Sequence, residues 1–473
     1  MAKTRKSGKP AGAKSGRRAS TADGLHEALY KGFQYYRSGQ LLEAGDVFHQ
    51  VLQTHPDNPD ALLSLGVILL EIGKQAAAVN LITRAIAVKP NYTEAHFNLG
   101  NVLQAQGRLE EATASYRRSL ELKPDWAEAH FNLARVLQDQ RRLEEAVTSY
   151  GYALDLRPGW AEAHLNLGSV LESRGLLEDA QSSYQRALSL KPDWAEAHFN
   201  LANALRLQGH LEEAVASYRR ALDLRLERPE VYFNLGNALR VLKKTEDAVA
   251  SYRRALALKP DWDELQLVLG GELAVQGDFE EAEYLFKQLL AYRPTWHEAH
   301  TNLGYIFEEQ GQFVQALESY RAALQLDPGS AQAHYNRACV WLLTGNLSEG
   351  WAEHEWRWST PFFAPITRTF EVPEWDGYTS LVNKTILLHA EQGLGDTIHF
   401  VRYASLFKAL GAEVVFACHA SLESLLKSCP GIDRIVTHDE PQPTGFDVHA
   451  PLMSLPYLLD TDLESIPNDV PYL

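Results

Sequence analysis

The chain has 473 residues, 45% of them hydrophobic, and a formal net charge of −16. This is enough apolar material for a core, and no run approaches the roughly 18 apolar residues of a membrane span, so we expect a soluble, cytoplasmic protein. The negative charge argues against nucleic acid as the main ligand, because neutralising phosphates requires clustered Lys and Arg. Cys339, Cys418 and Cys429 show no metal-ligand spacing and indicate a reducing compartment without a metal site.

The amino-terminal segment differs from the rest in charge. Its first 18 residues contain no acidic residue but several basic ones, namely Lys3, Arg5, Lys6, Lys9, Lys14, Arg17 and Arg18. The segment has neither the apolar stretch of a secretory signal nor a periodic apolar face. We therefore interpret residues 1–24 as a disordered basic tail, and we favour this interpretation over a targeting or nucleic-acid-binding arm.

A proline returns every 34 residues along most of the chain, at Pro56, Pro90, Pro124, Pro158, Pro192, Pro260, Pro294 and Pro328. A fixed period of this length predicts stacked helix-turn-helix units. A turn position repeats with it and is usually glycine, with Arg141 and Lys243 as exceptions, which indicates left-handed backbone there. Cap-x-x-Glu pairs that begin with Asn91, Asp125, Asp193 and Asp261 predict helix N-caps.

Counting back from the prolines places nine full repeats and a degenerate tenth within residues 25–360. The full repeats begin at Leu25, Pro59, Thr93, Ala127, Ala161, Ala195, Pro229, Asp263 and His297, and the tenth begins at Ala331. The pattern resembles the tetratricopeptide repeat (TPR) family. The resemblance implies a mostly α fold, a right-handed superhelix whose concave surface, lined by the first helix of each repeat, binds other proteins.

The sixth position of the first helix is asparagine in most repeats. We call this set the amide ladder: Asn98, Asn132, Asn166, Asn200, Asn234, Asn302 and Asn336. An amide can pair with the N–H and C=O groups of an extended peptide without reading its side chains. Similar ladders hold protein substrates in O-GlcNAc transferases. The alternative is that these residues bond within or between repeats, and the sequence leaves both interpretations open.

Two other repeated features have structural interpretations. A histidine recurs at the fourth position of the first helix, at His96, His130, His164, His198, His300 and His334. Because these residues occur once per repeat, packing is favoured over metal binding, which needs converging ligands. An aromatic residue before most first helices, such as Trp126 or Trp160, is predicted to seal the junction between repeats.

The pattern changes after Trp358. Residues 361–381 contain several prolines and are interpreted as a linker. We expect the tryptophan-rich end of the tenth repeat (Trp351, Trp356 and Trp358), with Phe362 and Phe363 of the linker, to pack against the domain that follows. Residues 382–473 then predict a partial α/β, Rossmann-like domain. Its strands are expected at residues 384–390, 413–418, 432–437 and 446–450, and its main helix at residues 397–410.

The turn after the first of these strands contains Gln392, Gly393, Gly395 and Asp396. Glycines there allow backbone N–H groups to approach a ligand, but the third glycine of a dinucleotide-binding motif is missing. The segment from Glu391 to Tyr403 resembles the carboxyl-terminal domains of bacterial TPR proteins related to heptosyltransferase-like glycosyltransferases. That resemblance implies a cleft loop with Asp396 as the base for an acceptor hydroxyl; the competing interpretation of Asp396 is a helix N-cap.

Two functions from different classes follow. The first is a protein-interaction scaffold that binds proteins or peptides in extended conformation and needs no cofactor. The second is a protein O-glycosyltransferase that uses a nucleotide-sugar donor. Because the enzymes that the domain resembles build the donor site largely in a second α/β half, we expect this chain by itself to be inactive in sugar transfer.

Overall fold

The computed structural model of the protein describes residues 16–366, 369–391, 393–438 and 444–468. The chain divides into two compact units, one ending at Leu258 and the other beginning at Lys259, and each is described by itself. Among the described residues, no helix combines the length and the apolar character needed to cross a membrane.

The first unit is a succession of helix pairs. Its helices are α1 (Gly16–Arg37), α2 (Leu41–Thr54), α3 (Pro59–Glu71), α4 (Gln75–Val88), α5 (Thr93–Ala105), α6 (Leu109–Leu122), α7 (Ala127–Asp139), α8 (Leu143–Leu156), α9 (Ala161–Ser173), α10 (Leu177–Leu190), α11 (Ala195–Leu207), α12 (Leu211–Asp223), α13 (Pro229–Val241) and α14 (Thr245–Leu258). From α3 onward, every first helix begins at the residue that the period predicts. The exception is α1, which begins at Gly16 and not at Leu25, so a helix occupies part of the expected tail.

A small residue in most first helices lets the aromatic ring of the partner helix come close; in α3 the corresponding Gly66 faces Ile82. A Cβ atom on Gly100 would lie 2.6 Å from Cε1 of Tyr116, and one on Gly168 would lie 2.5 Å from Cε1 of Tyr184. Both tyrosines are fully or almost fully buried. Two repeats place Ala134 and Ala202 at this position, so the pair of helices tolerates at most a methyl group here.

The turns between paired helices use left-handed backbone, as predicted. The φ angle is +72° at Gly107 and +76° at Gly175, and it is +61° at Arg141 and +58° at Lys243. A residue with a Cβ atom pays a steric cost of about 1–2 kcal/mol in this conformation. The two exceptions to the glycine pattern therefore keep the turn geometry at a cost.

We expect Arg141→Gly to raise the free energy of unfolding by about 0.5–1 kcal/mol, because relief of the left-handed strain exceeds the added flexibility of glycine. Arg141 is exposed, so no packing is lost. Urea denaturation measures the change. Gly175→Ala is the matched reverse substitution and should lower stability; an unchanged midpoint in both variants would contradict the prediction.

The predicted N-caps are displaced by one residue. The N-cap positions are occupied by Tyr92, Trp126, Trp194 and Trp262, and none of these side chains makes a capping hydrogen bond. Asn91 instead accepts a hydrogen bond from Arg118 (3.1 Å). Asp193 likewise pairs with Arg220 (2.7 Å). At Tyr92, Trp126 and Trp194 the bulky aromatic residue takes the extended cap conformation. The polar side chains of Asn91 and Asp193 pair instead with the second helix of the repeat that follows, α6 and α12 respectively.

The second unit begins with three further helix pairs and ends in a small α/β domain. The helices are α15 (Asp263–Gln276), α16 (Phe279–Tyr292), α17 (His297–Glu309), α18 (Phe313–Leu326), α19 (Ala331–Leu343) and the short α20 (Leu347–His354), followed by a 3-10 turn, Glu355–Ser359. The α/β domain contains β1 (Thr385–His389), α21 (Leu394–Phe400), α22 (Ala404–Ala409), β2 (Glu413–Cys418), α23 (Glu423–Leu426), β3 (Arg434–Thr437), β4 (Val448–Pro451) and α24 (Leu455–Leu458).

The four strands form one parallel sheet in the order β3-β2-β1-β4. In its register Leu387 pairs with Val415 on one side and with His449 on the other. All four strands lie at or near their predicted positions. The predicted helix over residues 397–410 was wrong in detail, because a 3-10 turn (Val401–Tyr403) separates α21 from α22.

The tryptophan-rich end of the array packs only in part against the α/β domain. Trp351 of α20 packs against the domain core, with its ring 5.8 Å from that of Phe400. Trp356 instead stacks on His334 of α19, at 4.1 Å between ring centres. Phe362 remains largely exposed. The contact with the core of the α/β domain is therefore made by Trp351 of α20 and not by Trp356 in the 3-10 turn that follows.

Candidate functional site

Two ladder amides of the first unit, Asn132 and Asn234, donate hydrogen bonds to the preceding repeat. Asn132 Nδ2 donates to Asn101 Oδ1 (2.9 Å), and the Tyr116 hydroxyl donates to the same oxygen (2.7 Å). Asn234 Nδ2 donates to Asn203 Oδ1 in the same way (3.0 Å). Each such rung joins the first helix of one repeat to both helices of the repeat before it.

Two further ladder amides, Asn166 and Asn336, act on buried tyrosines of the preceding repeats. Burial raises the pKa of Tyr150, and a hydrogen bond from Asn166 acts in the opposite direction. In the second unit, burial raises the pKa of Tyr320 and Asn336 opposes it. The ladder is therefore tied to buried tyrosine hydroxyls that the sequence did not single out.

Not every ladder residue has the same partner. Asn98 Nδ2 donates to the backbone oxygen of Glu94 in its own helix (2.8 Å). Asn200 and Asn302 make no hydrogen bond within the described part of the chain, and both are partly exposed. The position thus serves repeat packing where a neighbouring acceptor is available, and it is unused where none is.

Three ladder oxygens accept no hydrogen bond from the described residues. In Asn98, Asn132 and Asn234 the amide nitrogen donates one hydrogen bond, while Oδ1 accepts none. Asn336 of the second unit differs, because its Oδ1 accepts from Gln332 Nε2 (2.7 Å). The side chains of Asn98, Asn132 and Asn234 are partly exposed. Their acceptors are therefore available to a ligand, and each amide nitrogen has one donor committed inside the array.

The histidine series closes the junction between repeats. Each ring donates its Nε2 hydrogen to the backbone oxygen of the proline six residues earlier, at 2.8 Å for His96 and Pro90 and 2.9 Å for His130 and Pro124. The described residues contain no group of three or more His, Cys, Asp or Glu placed to hold a metal ion. The histidines have the structural role that their spacing favoured.

The aromatic residues before the first helices also join neighbouring repeats. Trp126 packs on Phe97 of the preceding repeat, and Trp160 packs on Phe131, each at 4.4 Å between ring centres. The Lys123 ammonium lies 5.1 Å from the centre of the Trp126 ring. The phenylalanines beside the ladder are thus engaged in packing.

The loop after β1 places its predicted residues at the start of α21. Gly393 is the N-cap of this helix, and Gly395 and Asp396 lie in its first turn. The N-cap interpretation of Asp396 is therefore wrong. Its partly buried carboxylate accepts no hydrogen bond from the described residues. Gln392 lies outside the described residues.

A buried charge network holds this loop against the end of the array. Arg357 is 0% exposed, and the Glu391 side chain at the end of β1 is 1% exposed. The guanidinium donates twice to Glu391 (3.0 and 3.1 Å), once to Glu355 (2.6 Å) and once to the Ser454 hydroxyl (2.7 Å). Burial raises the pKa of Glu391, which Arg357 and the Met453 N–H partly oppose. None of the repeated motifs in the sequence marks this network.

His354 completes the network as a neutral acceptor. His354 Nδ1 lies 3.3 Å from Arg357 Nη1. Nη1 can donate a hydrogen bond to Nδ1 only if Nδ1 carries no proton. Burial first, and then the charge of Arg357, lower the pKa of His354 to about 3.

We expect His354 to make the second unit less stable as the pH falls from about 6.5 toward 3. In that window the unfolded chain binds a proton at this histidine and the folded chain does not, so unfolding is favoured as acid is added. Urea denaturation at pH 7 and pH 4.5 measures the loss. The His354→Gln variant should lose less stability between these two values, and an equal loss would assign the effect to other groups.

Sequence comparison identifies the repeats. Residues 229–261 and the overlapping segments 267–331 and 309–350 match tetratricopeptide repeat profiles. Residues 1–230 match the profile described as the cilia and flagella-associated protein 70 C-terminal domain. The chain therefore carries tetratricopeptide repeats, and proteins built from them are generally protein-interaction scaffolds. No curated protein matches the sequence significantly.

Solved structures of repeat proteins resemble parts of the chain. YrrB, described as a TPR protein with an unusual peptide-binding site, is 25% identical, with a TM-score of 0.38 over 39% of this chain and 95% of its own. PilF of Pseudomonas aeruginosa is 22% identical (TM-score 0.39; 44% and 95%). MamA of Desulfovibrio magneticus RS-1 is 20% identical (TM-score 0.34; 36% and 95%). At these scores the likenesses carry no argument about function.

Proposed function

We propose that the helix pairs of the first unit bind an extended segment of another protein along the amide ladder. The observation that supports this is the set of partly exposed Oδ1 atoms that accept no hydrogen bond from the described residues. An amide oxygen accepts a backbone N–H well, whereas each amide nitrogen already uses one of its two N–H donors inside the array. The ladder would therefore recognise mainly the N–H groups of the peptide.

The spacing of the ladder suits this role. Packed helices lie about 8–10 Å apart, and an extended chain advances about 3.3 Å per residue, so one rung would meet roughly every third residue of the peptide. Because each contact is made to the main chain, side-chain preference would be weak. The fixed amide nitrogens hold each oxygen in one orientation before binding, which lowers the entropy lost on association.

The test is a calorimetric titration with an unstructured synthetic peptide of Ala, Ser and Thr. The combined variant Asn132→Ala, Asn166→Ala and Asn200→Ala should bind more weakly, with an unchanged helical circular-dichroism signal. A peptide whose backbone nitrogens are methylated at every third residue should also bind more weakly, because it lacks the donors. Equal affinity for both peptides would refute recognition of backbone N–H groups.

A matched control separates binding from repeat packing. Tyr116→Phe and Tyr150→Phe remove hydroxyls at the rung junctions but leave the amide oxygens in place. These variants should be less stable yet bind the peptide with nearly the original affinity. If they lose affinity as the asparagine variants do, the asparagines act through the structure of the array.

A second candidate function is protein O-glycosylation by the α/β domain. The parallel strand order β3-β2-β1-β4 is that of one half of a doubly wound fold, which binds ligands at the carboxyl ends of its strands. Asp396 lies in the loop after β1 with a carboxylate free to accept a proton. Transfer of radiolabelled sugar from a nucleotide donor to protein, abolished by Asp396→Asn, would support this function; transfer that persists in the Asp396→Asn variant would refute the role of Asp396.

A further inference from the structure

A cavity of about 350 Å³ lies between α20 and the loops of the α/β domain within the second unit. Its lining includes three aromatic residues, Trp351, Tyr378 and Tyr457, and two acidic residues, Asp376 and Asp460. No Lys or Arg is among the described residues that line it. This volume is within the range of sites that hold a small molecule or a single side chain.

The two carboxylates differ in how they are used. Asp376 accepts hydrogen bonds from the backbone nitrogens of Thr379 (2.7 Å) and Tyr378 (2.9 Å), and these bonds lower its pKa. Asp460 has no hydrogen bond or ion pair through its side chain within the described part of the chain. The cavity therefore presents two negative charges, one of them without a partner.

The aromatic residues define the rest of the ligand. Tyr378 is 94% exposed, and Tyr457 is 49% exposed, so both rings are available to a cation, which aromatic faces attract. The buried Trp351 Nε1 has no acceptor among the described residues. An unpaired buried donor is costly, and a carbonyl oxygen brought by a ligand would relieve that cost after a small shift of the ring.

We infer that this cavity binds a basic residue of a peptide, with the guanidinium or ammonium group held by Asp460 and the tyrosines and a backbone carbonyl held by Trp351. The site is separate from the amide ladder of the first unit and does not depend on it. It requires a positive charge, since a neutral or anionic ligand gains nothing from the carboxylates.

The test is a titration of the full chain with N-acetyl-arginine amide at low salt, in which nuclear magnetic resonance monitors binding. Asp460→Asn should weaken binding about tenfold, because it removes one charge-assisted contact. Asparagine tolerates the left-handed backbone at this residue (φ +49°), so the fold is kept. Tyr378→Ala, at an exposed side chain, should also weaken binding. Glu318→Gln, at an exposed residue of α18, is the charge control and should change nothing.

Two further compounds separate the sources of affinity. Butylguanidine carries the guanidinium without a carbonyl or a second charge and should bind more weakly than the arginine compound; N-acetyl-glutamine amide carries carbonyls without charge and should bind least. Equal binding of butylguanidine would refute the role of Trp351. Binding of the neutral compound as tight as that of arginine, or no saturable binding of arginine at millimolar concentration, would overturn the proposal.

Discussion

Replacing Arg357 with methionine should destabilise the second unit by about 3–5 kcal/mol, since it leaves buried carboxylates without their counter-charge. Glu391 is almost completely buried and receives two hydrogen bonds from this guanidinium, and Glu355 receives a third. Without Arg357, the Met453 N–H is the one donor to the Glu391 side chain that remains among the described residues. The side chain would have to take up a proton or reach water, and either response disrupts the end of β1.

Hydrogen exchange measured by mass spectrometry on the full chain would locate this loss. Peptides from β1, β4 and the turn Glu355–Ser359 should lose protection, whereas peptides from the first unit should not. Arg220→Met is the control, because it breaks an exposed pair with Asp193, which is worth about 0–1 kcal/mol. Unchanged protection around β1 in the Arg357 variant would show that the network does not hold the α/β domain in place.

Gly168→Val should destabilise the first unit by about 1–3 kcal/mol through overpacking. A Cβ atom at this residue would meet the Tyr184 ring at 2.5 Å, and the ring is buried, with nowhere to move. The two methyl groups of valine would then have to separate α9 from α10. Because each repeat is stabilised by its neighbours, the loss should also reduce protection in α7, α8, α11 and α12.

Substitutions of increasing size make this prediction specific. Gly168→Ala should cost much less than valine, because Ala134 and Ala202 take the same position in neighbouring repeats, opposite buried tyrosines. Gly151→Ala, in the exposed face of α8 with nothing within 4 Å, should instead stabilise by about 1 kcal/mol. Denaturant midpoints that do not fall in the order Gly151→Ala, wild type, Gly168→Ala, Gly168→Val would contradict the packing account.

The sequence predicted those features that a single position determines. The period gave the starts of the first helices from Pro59 to Ala331, and the replacement of glycine by Arg141 and Lys243 did not alter the backbone at the turn. Both follow from local geometry that recurs in each repeat. The strands were predicted for the same reason, since each is a short apolar run bounded by turn residues.

Features that join distant residues were not predicted. The Arg357 network links residues 34 and 97 positions apart, and nothing in the local sequence marks either glutamate as buried. The second set of asparagines, Asn101, Asn203 and Asn237, was also overlooked, although it repeats three residues after the ladder. Which of two amides faces a tyrosine depends on side-chain rotamers, which a repeat pattern does not specify.

The rungs of the first unit have a consequence for how such a chain can change in length. The contact from Asn132 to Asn101 has the same form as the contact from Asn234 to Asn203, which lies three periods of 34 residues further along the chain. Loss or duplication of the three repeats between them would preserve this rung, because Asn234 would then face Asn101, whereas a change that is not a whole number of repeats would leave the amide without its acceptor. Duplication or deletion within the gene can therefore lengthen or shorten this array by whole repeats, and the length of the proposed binding surface changes by the same number of repeats.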